Sequence, residues 1–305
     1  MLGIVMARNE GKILRRCVVS PRSSCDVVLI VDTGSTDDTI EIAEELGCVV
    51  RRHEWKDFGH NRSLSFQEAQ MVSEGLDLEW GLVIDADMTL VCDAEALRRF
   101  LAESTEAGHT MLQVAGSLEY RNVRFLRLSE DWKCKGPTHE YWVCRHGTVG
   151  EVPREIAHIV DLGDGGCKAD KFERDVRLLE EGLREEPDNE RYYFYMANTL
   201  ACQDKIPEAR EFYRKRADAG GWIEEVWYSL YQLAKLAPDP IEAEAFVQRA
   251  LEVTDRTEAL LWLVEQLALS PGGGRHGPSG RRQVVPRGRC PGADRLRAEH
   301  PPLLR

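Results

Sequence analysis

Asp85-Ala86-Asp87 follows the apolar run Trp80-Gly81-Leu82-Val83-Ile84. An apolar run that stops at two carboxylates reads as a buried parallel strand with acid groups at its carboxyl end. Side chains alternate along a strand, so Asp85 and Asp87 are expected to face one side and share a cation. Hard cations such as Mg²⁺ or Mn²⁺ take oxygen ligands, and a diphosphate can complete the shell. By itself a D-x-D at a strand end is as often a solvated turn, so the elements around it decide its meaning.

Those elements start at the amino terminus. Leu2 to Met6 is a short apolar strand, followed by Ala7-Arg8-Asn9-Glu10 and a helical stretch over 12–19. A second apolar run, Val27 to Val31, ends in Asp32-Thr33-Gly34-Ser35-Thr36-Asp37-Asp38-Thr39. Apolar residues at 40, 43 and 46 then mark a helix face, with Ser35 or Thr36 as its expected cap and Asp37 and Asp38 in its first turn. Gly47 stops that helix, and Val49-Val50 opens a third strand. Strand, helix, strand, helix, strand is the pattern of a parallel sheet covered by helices. Ligands of such sheets bind beyond the carboxyl ends of the strands. Arg8, Asn9, Asp32, Asp85 and Asp87 all fall at such ends.

Four segments together resemble the family 2 glycosyltransferases of the GT-A fold. They are Asn9-Glu10, the run Asp32 to Thr39, Trp55-Lys56-Asp57-Phe58-Gly59-His60-Asn61-Arg62, and Asp85-Ala86-Asp87. Their order and spacing match over residues 2 to about 166, and the combination is more specific than any one piece. The resemblance implies a GT-A nucleotide-diphospho-sugar transferase fold, a mainly parallel sheet flanked by helices, with a nucleotide-sugar site and a divalent metal, Mn²⁺ or Mg²⁺, at the D-x-D. It assigns donor binding to Arg8, Asn9, Glu10, Asp32, Arg62 and Asp85. Asp32 would accept a bond from a nucleobase N–H, and Thr33 stands where the usual pattern has a second Asp. Arg62 is a fork-shaped donor suited to phosphate oxygens.

A second constellation is Trp132-Lys133-Cys134-Lys135-Gly136-Pro137-Thr138-His139-Glu140-Tyr141-Trp142. Related transferases carry a His-Glu or an acidic pair here, on the acceptor side. An acceptor hydroxyl attacking an anomeric carbon needs a general base, and a carboxylate within hydrogen-bond reach serves. Glu140 is the first choice and Asp131 the second. His139 would ligate the metal or orient the diphosphate, and His158 would be a later metal ligand, giving the set Asp85, Asp87, His139 and His158. Trp132 and Trp142 are core residues or stacking platforms for a sugar or base. Inversion at the anomeric carbon follows from the resemblance, and UDP is the common carrier in relatives with a D-x-D.

Composition agrees with a soluble enzyme. The net charge of −12 argues against a nucleic-acid partner. The apolar stretches are too short for a membrane span, and no signal peptide fits the opening strand. Cysteines stand at 17, 25, 48, 92, 134, 144, 167, 202 and 290 without a C-x-x-C pair. That suits free thiols in a reducing cytoplasm.

Beyond Gly163-Asp164-Gly165-Gly166 the chain turns helical. Glu208-Ala209 recurs as Glu242-Ala243, Tyr195 maps to Ser229, and Leu200 to Ala234. This 34-residue helix-pair period resembles the tetratricopeptide repeat. A half repeat is expected over 171–187, two fuller ones over 190–219 and 224–254, and an opening helix over 257–269. From Ser270 on, eight Arg face two acids, with Gly and Pro throughout. That composition cannot bury a core and reads as a disordered basic tail, either a native arm or the product of a shifted reading frame. The expected domains are therefore 1–166, catalytic; 167–269, repeat-like; and 270–305, tail.

Three function classes follow. The first is a metal-dependent glycosyltransferase moving a sugar from a UDP-linked donor to a glycan, lipid-linked or peptide acceptor. The second is a repeat scaffold whose GT-A domain binds nucleotide sugar without turnover, with a protein partner or self-association through the repeats. The third, a nucleotidyltransferase, is disfavoured because Ala7-Arg8-Asn9-Glu10 stands where a Gly-rich nucleotide loop would follow the first strand. The presence of both the D-x-D and base candidates favours the enzyme.

Overall fold

The computed structural model describes residues 1–166 and 170–269. The chain divides into two compact units, one over residues 1–171 and the other from Phe172 onward.

The first unit opens with β1 (Leu2–Ala7), α1 (Gly11–Val19), β2 (Val27–Asp32), α2 (Thr39–Glu45) and β3 (Val49–Arg52). Next come α3 (Phe58–Ser73), β4 (Trp80–Val83), β5 (Met88–Cys92), α4 (Ala94–Glu103), β6 (Gly108–Ala115) and β7 (Leu118–Arg127). A hairpin of β8 (Trp132–Lys135) and β9 (Tyr141–Cys144) follows, then β10 (Val149–Glu151) and β11 (Ala157–Asp161). The main sheet runs β3-β2-β1-β4-β7-β6-β11-β5, with β10 beside β6. The β3-β2-β1-β4 half is parallel, and β7 runs antiparallel to both β4 and β6. The sheet is thus mixed, with its parallel half where the sequence pattern places it.

Register explains why polar residues gather at one edge. Ala7 lies opposite Asp32, and Asp32 opposite Arg52, so the loops after β1 and β2 start level. On the far edge, β11 pairs antiparallel with β5 so that Asp161 faces Met88, the neighbour of Asp87. Period-2 alternation fills both faces. Val5, Val28 and Ile30 pack with Leu14 and Val18 of α1 and Leu97 and Leu101 of α4. Ile4, Leu29 and Val31 pack instead with Phe66 and Ala69 of α3 and with Trp132. Each such buried aliphatic contributes about 1.5–3 kcal/mol, which holds the strand ends in place.

The second unit is helical throughout the described residues: α5 (Lys171–Glu185), α6 (Glu190–Cys202), α7 (Ile206–Ala219), α8 (Ile223–Lys235), α9 (Pro240–Val253) and α10 (Glu258–Leu269). From α6 to α10 each helix packs on the next. The helix starts repeat at the spacing read from the sequence, and Ala209 and Ala243 are both buried where helices approach. On α10, Leu263 is buried while Leu260, Leu261 and Val264 are exposed. The basic tail over 270–305 lies outside the described residues. No described helix is long and apolar enough to cross a membrane. Cysteines 17, 25, 48, 92, 134 and 144 are free, but Cys202 is disulfide-bonded, contrary to the expectation of free thiols alone.

Candidate active site

The loops beyond β1 and β2 are locked together. Asp32 is 2% exposed, and its carboxylate accepts bonds from the amides of Gly34 at 3.0 Å and Ser35 at 3.1 Å. This Asx-type turn tolerates the positive φ of Gly34. Asn9 also has a positive φ, and its Oδ1 accepts from the Thr36 amide at 2.7 Å while its own amide donates to Ser35 Oγ at 2.9 Å. Ser35 and Thr36 therefore bind Asn9 and do not cap α2, whose N-cap position is Asp38. Arg8 is exposed beside this lattice.

The second wall is α3. Asp57 caps it by accepting the His60 amide at 2.7 Å. Its first amides, Phe58 and Gly59, donate to the carbonyls of Pro137 and Gly136. A Cβ on Gly59 would stand 2.5 Å from the Gly136 oxygen, so glycine permits the approach. Ser63 Oγ accepts from the Cys134 amide at 2.9 Å, tying the helix to β8. These contacts bring Arg62 to the hairpin turn, where its Nε donates to Glu140 at 2.6 Å and its NH2 donates to Asp85 at 2.7 Å.

Asp85-Ala86-Asp87 is a turn and not a strand end. β4 stops at Val83, and the Met88 amide donates back to the Asp85 carbonyl at 2.9 Å. Strand alternation therefore does not apply, and the two carboxylates have separate surroundings. Asp85 meets Arg62 through Oδ1 and Arg124 through Oδ2, the latter at 3.1 and 3.2 Å. Burial opposes its charge, but the two guanidiniums outweigh burial and hold it well below the usual carboxylate range. Asp87 is not held by arginines in this way. Burial, then the charges of Asp85 and Asp161, pushes it up.

A strap over residues 161–166 crosses this acidic side. Asp161 accepts the Gly163 amide at 2.9 Å, and Asp164 pairs with Arg16 in a two-pronged contact of 2.7 and 2.9 Å. The Gly165 amide donates to Asp87 and the Gly166 amide to Glu10. A Cβ on Gly165 would stand 3.2 Å from Asp87 Oδ2 and 3.4 Å from Glu10 Oε1, so the strap lies close to both acids. Burial raises Glu10 against the pull of the Gly166 amide, helped by Asp87, Asp37 and Asp164.

Arg62, Glu140 and Asp85 thus meet directly, while Glu10 and Asp87 meet under the strap. The expected metal set does not converge: among the described residues, no three His, Cys, Asp or Glu side chains form a metal-holding group. His139 sits at positive φ in the β8–β9 turn next to Glu140. His158 pairs with Val91, several residues along β11 from Asp161, and lines a surface cavity with Val91, Asp93 and Arg154. Strand register places Asp161, not His158, beside the D-x-D. Asp131 is exposed at the opposite end of β8 from Glu140, so the two base candidates are separated by the strand. Trp132 is buried with its indole N–H on the Ala107 carbonyl, and Trp142 packs against Phe66, so both are core. Arg124 is a site residue that sequence reasoning misses. Its signal is a lone arginine within the apolar strand segment Val123-Arg124-Phe125-Leu126.

A mixed sheet with helices on both faces, acids and arginines at its carboxyl edge and a helical array after it define a GT-A-type domain followed by a repeat-like module. Residues 4–154 match the profile of glycosyl transferase family 2, and this domain belongs to that family. A TPR repeat-containing protein of Synechococcus elongatus is 31% identical over 141 residues, 45% of this chain and 34% of the relative. The SPbeta prophage-derived glycosyltransferase SunS of Bacillus subtilis is 25% identical over 236 residues, 69% of this chain and 51% of the relative. The chain therefore spans about a third to a half of the length of these two relatives. Among solved structures, the glucosyl-3-phosphoglycerate synthase of Mycobacterium tuberculosis with Mn²⁺, UDP and glucosyl-3-phosphoglycerate aligns at TM-score 0.29 and 17% identity. It covers 38% of this chain and 44% of that one.

Proposed function

We propose that the first unit moves a sugar from a UDP-linked donor to an acceptor hydroxyl, with inversion at the anomeric carbon. The observation that carries this reading is the Glu140–Arg62–Asp85 junction at the carboxyl edge of a family 2 domain. A carboxylate for proton abstraction and a guanidinium for phosphate oxygens meet there, where α/β sheets take their ligands.

The remaining roles follow from position. Arg8, Asn9 and Asp32 frame the nucleotide side. Arg62 turns towards the diphosphate and orients Glu140, which takes the proton of the acceptor hydroxyl. Asp87 and Glu10 crowd two carboxylates under the strap, and hard oxygen donors of this kind suit Mn²⁺ or Mg²⁺. The two do not make a complete cage, so diphosphate oxygens would fill the remaining positions. A bound cation would supply charge neutralisation for the departing diphosphate. The helical unit would hold a protein or peptide partner, and the six free thiols of the sheet unit fit a cytoplasmic setting, although the disulfide at Cys202 weighs against it. We also place the domain boundary near residue 166 and read the chain after 269 as a tail.

Asp87→Ala tests the metal assignment. We expect loss of Mn²⁺-dependent release of UDP from UDP-glucose or UDP-galactose, with the melting temperature retained. Activity near wild type would remove Asp87 from the site. A wild-type protein that binds UDP-sugar by calorimetry but never turns it over would establish the scaffold reading instead.

A further inference from the structure

β7 carries an irregularity next to the site. Its register against β6 passes from Phe125 opposite His109 to Val123 opposite Thr110, so Arg124 is the extra residue of a bulge. Bulges re-aim a side chain, and they recur next to active sites. Here the bulged residue is an arginine that is 7% exposed. Its NH1 and NH2 donate to Asp85 Oδ2 at 3.1 and 3.2 Å, and its NH1 also reaches the Val83 carbonyl at 3.4 Å.

The contacts continue away from Asp85. Arg124 Nε donates to Gln113 Oε1 at 2.8 Å, and Gln113 is fully buried on β6. Gln113 Nε2 donates to the Tyr120 hydroxyl at 3.0 Å. That hydroxyl donates to Asp161 Oδ2 at 3.2 Å, and the other oxygen of Asp161 accepts the Gly163 amide. A polar chain therefore crosses the sheet from the D-x-D turn to the base of the strap that lies over Asp87 and Glu10. Burying such groups carries a desolvation penalty, and apolar residues of similar volume would hold the strands at least as well. Fold stability alone does not call for this chain.

We propose that Arg124 is a positioning residue for the donor, which fixes Asp85 and, through Gln113, Tyr120 and Asp161, couples the D-x-D turn to the 161–166 strap. The proposal rests on the glycosyl-transfer reading of the same site. It predicts that Asp85 and the strap lose their placement together. Donor affinity should suffer before the chemical step does, because the relay holds Asp85 directly and reaches Glu140 only through Arg62.

Tyr120→Phe cuts the relay while keeping the ring. Losing the hydroxyl removes two hydrogen bonds, one of them to the Asp161 carboxylate, and should raise the donor KM about 2- to 10-fold, with kcat within about twofold. Amide exchange at Gly163, Gly165 and Gly166, on the far side of the cut, should quicken by a similar factor. Arg124→Met removes charged bonds and should raise KM by roughly 10- to 100-fold, and Arg124→Lys should recover part of that loss. The melting temperature of Tyr120→Phe should fall by several degrees at most, because the buried Gln113 amide loses its acceptor while the ring still fills its place. Unchanged exchange at the strap in Tyr120→Phe would overturn the coupling, even if Arg124→Met fails to fold. A fall in kcat with unchanged KM would overturn the donor-positioning role. If wild type turns over no UDP-sugar, the function proposed above fails, while strap exchange in Tyr120→Phe still decides the coupling.

Discussion

Each unit buries an arginine against a carboxylate, and the two pairs are built to different ends. In the sheet unit, Asp85 is shared by Arg62 and Arg124, and its charge is overcompensated. In the helical unit, fully buried Arg216 meets Glu225 at 2.8 Å at the α7–α8 corner and also donates to the Trp222 carbonyl. Arg191 stands 3.7 Å from the second oxygen of Glu225, too far for a hydrogen bond. Burial raises Glu225 in spite of both arginines, whereas two close arginines hold Asp85 down. The difference is one of geometry. A buried carboxylate stays a reliable anion when donors reach both oxygens. With one oxygen bonded, burial prevails, and the pair serves as a corner clamp.

The largest effect that separates the two pairs should come from the partner of Arg62 on the acceptor side. Glu140→Gln keeps the shape and removes the proposed base. Transfer should fall by about 10²–10⁴-fold while UDP-sugar affinity changes little, measured by turnover and calorimetry. The urea midpoint should stay near wild type. A collapse of donor affinity instead would make Glu140 a clamp like Glu225, and the comparison would break.

The helical pair should behave in the opposite manner. Arg216→Met leaves a buried carboxylate uncompensated and should destabilise that unit by about 3–5 kcal/mol. The double variant Arg216→Met with Glu225→Leu should recover most of this, because apolar replacement of a buried pair is often neutral. Transfer to a small acceptor should be retained in the double variant. A double variant as unstable as the single one would show that the pair carries more than corner geometry.

Much of this contrast is readable in the sequence, for unequal reasons. The strands around Asp32 and the D-x-D are marked by apolar runs that stop at polar residues, so their edge can be placed. The helix pairs announce themselves by period, and Ala209 and Ala243 recur where small residues are required. Arg62 and Glu140 can each be singled out, but not their contact, which depends on Gly59 letting α3 approach the hairpin. Arg124 stays hidden because its role comes from a bulge and from partners far away in sequence. The four expected metal ligands do not converge among the described residues, for a local reason. Assuming strand geometry at 85–87 makes Asp85 and Asp87 equivalent, and the turn gives one to arginines and the other to the strap. His158 stands out by residue type alone, whereas antiparallel register with β5 brings Asp161 to the site.

The smallest effect concerns pH, and it follows from the opposite displacements of the two acids. Glu225 titrates above its ordinary value of 4.5 when folded, so the folded state holds that proton more tightly than the unfolded chain does. Its contribution to stability therefore falls as pH rises from about 4.5 through the raised value, by at most about 1.4 kcal/mol per pH unit. Asp85 is held below its ordinary value of 3.8, so its stabilisation is complete above that pH and is lost only below it, as pH falls through the folded value. Between pH 7 and 4.5 the helical pair should respond and the sheet pair should not. Urea unfolding read by hydrogen exchange in peptides over 190–235 and 80–127 separates the two. The pH slope of the helical peptides should shrink in Glu225→Gln, which cannot titrate, and the slope of the sheet peptides should not change. Equal slopes in wild type and Glu225→Gln would mean that Arg191 closes on Glu225 in solution, and the two pairs would then be of one kind.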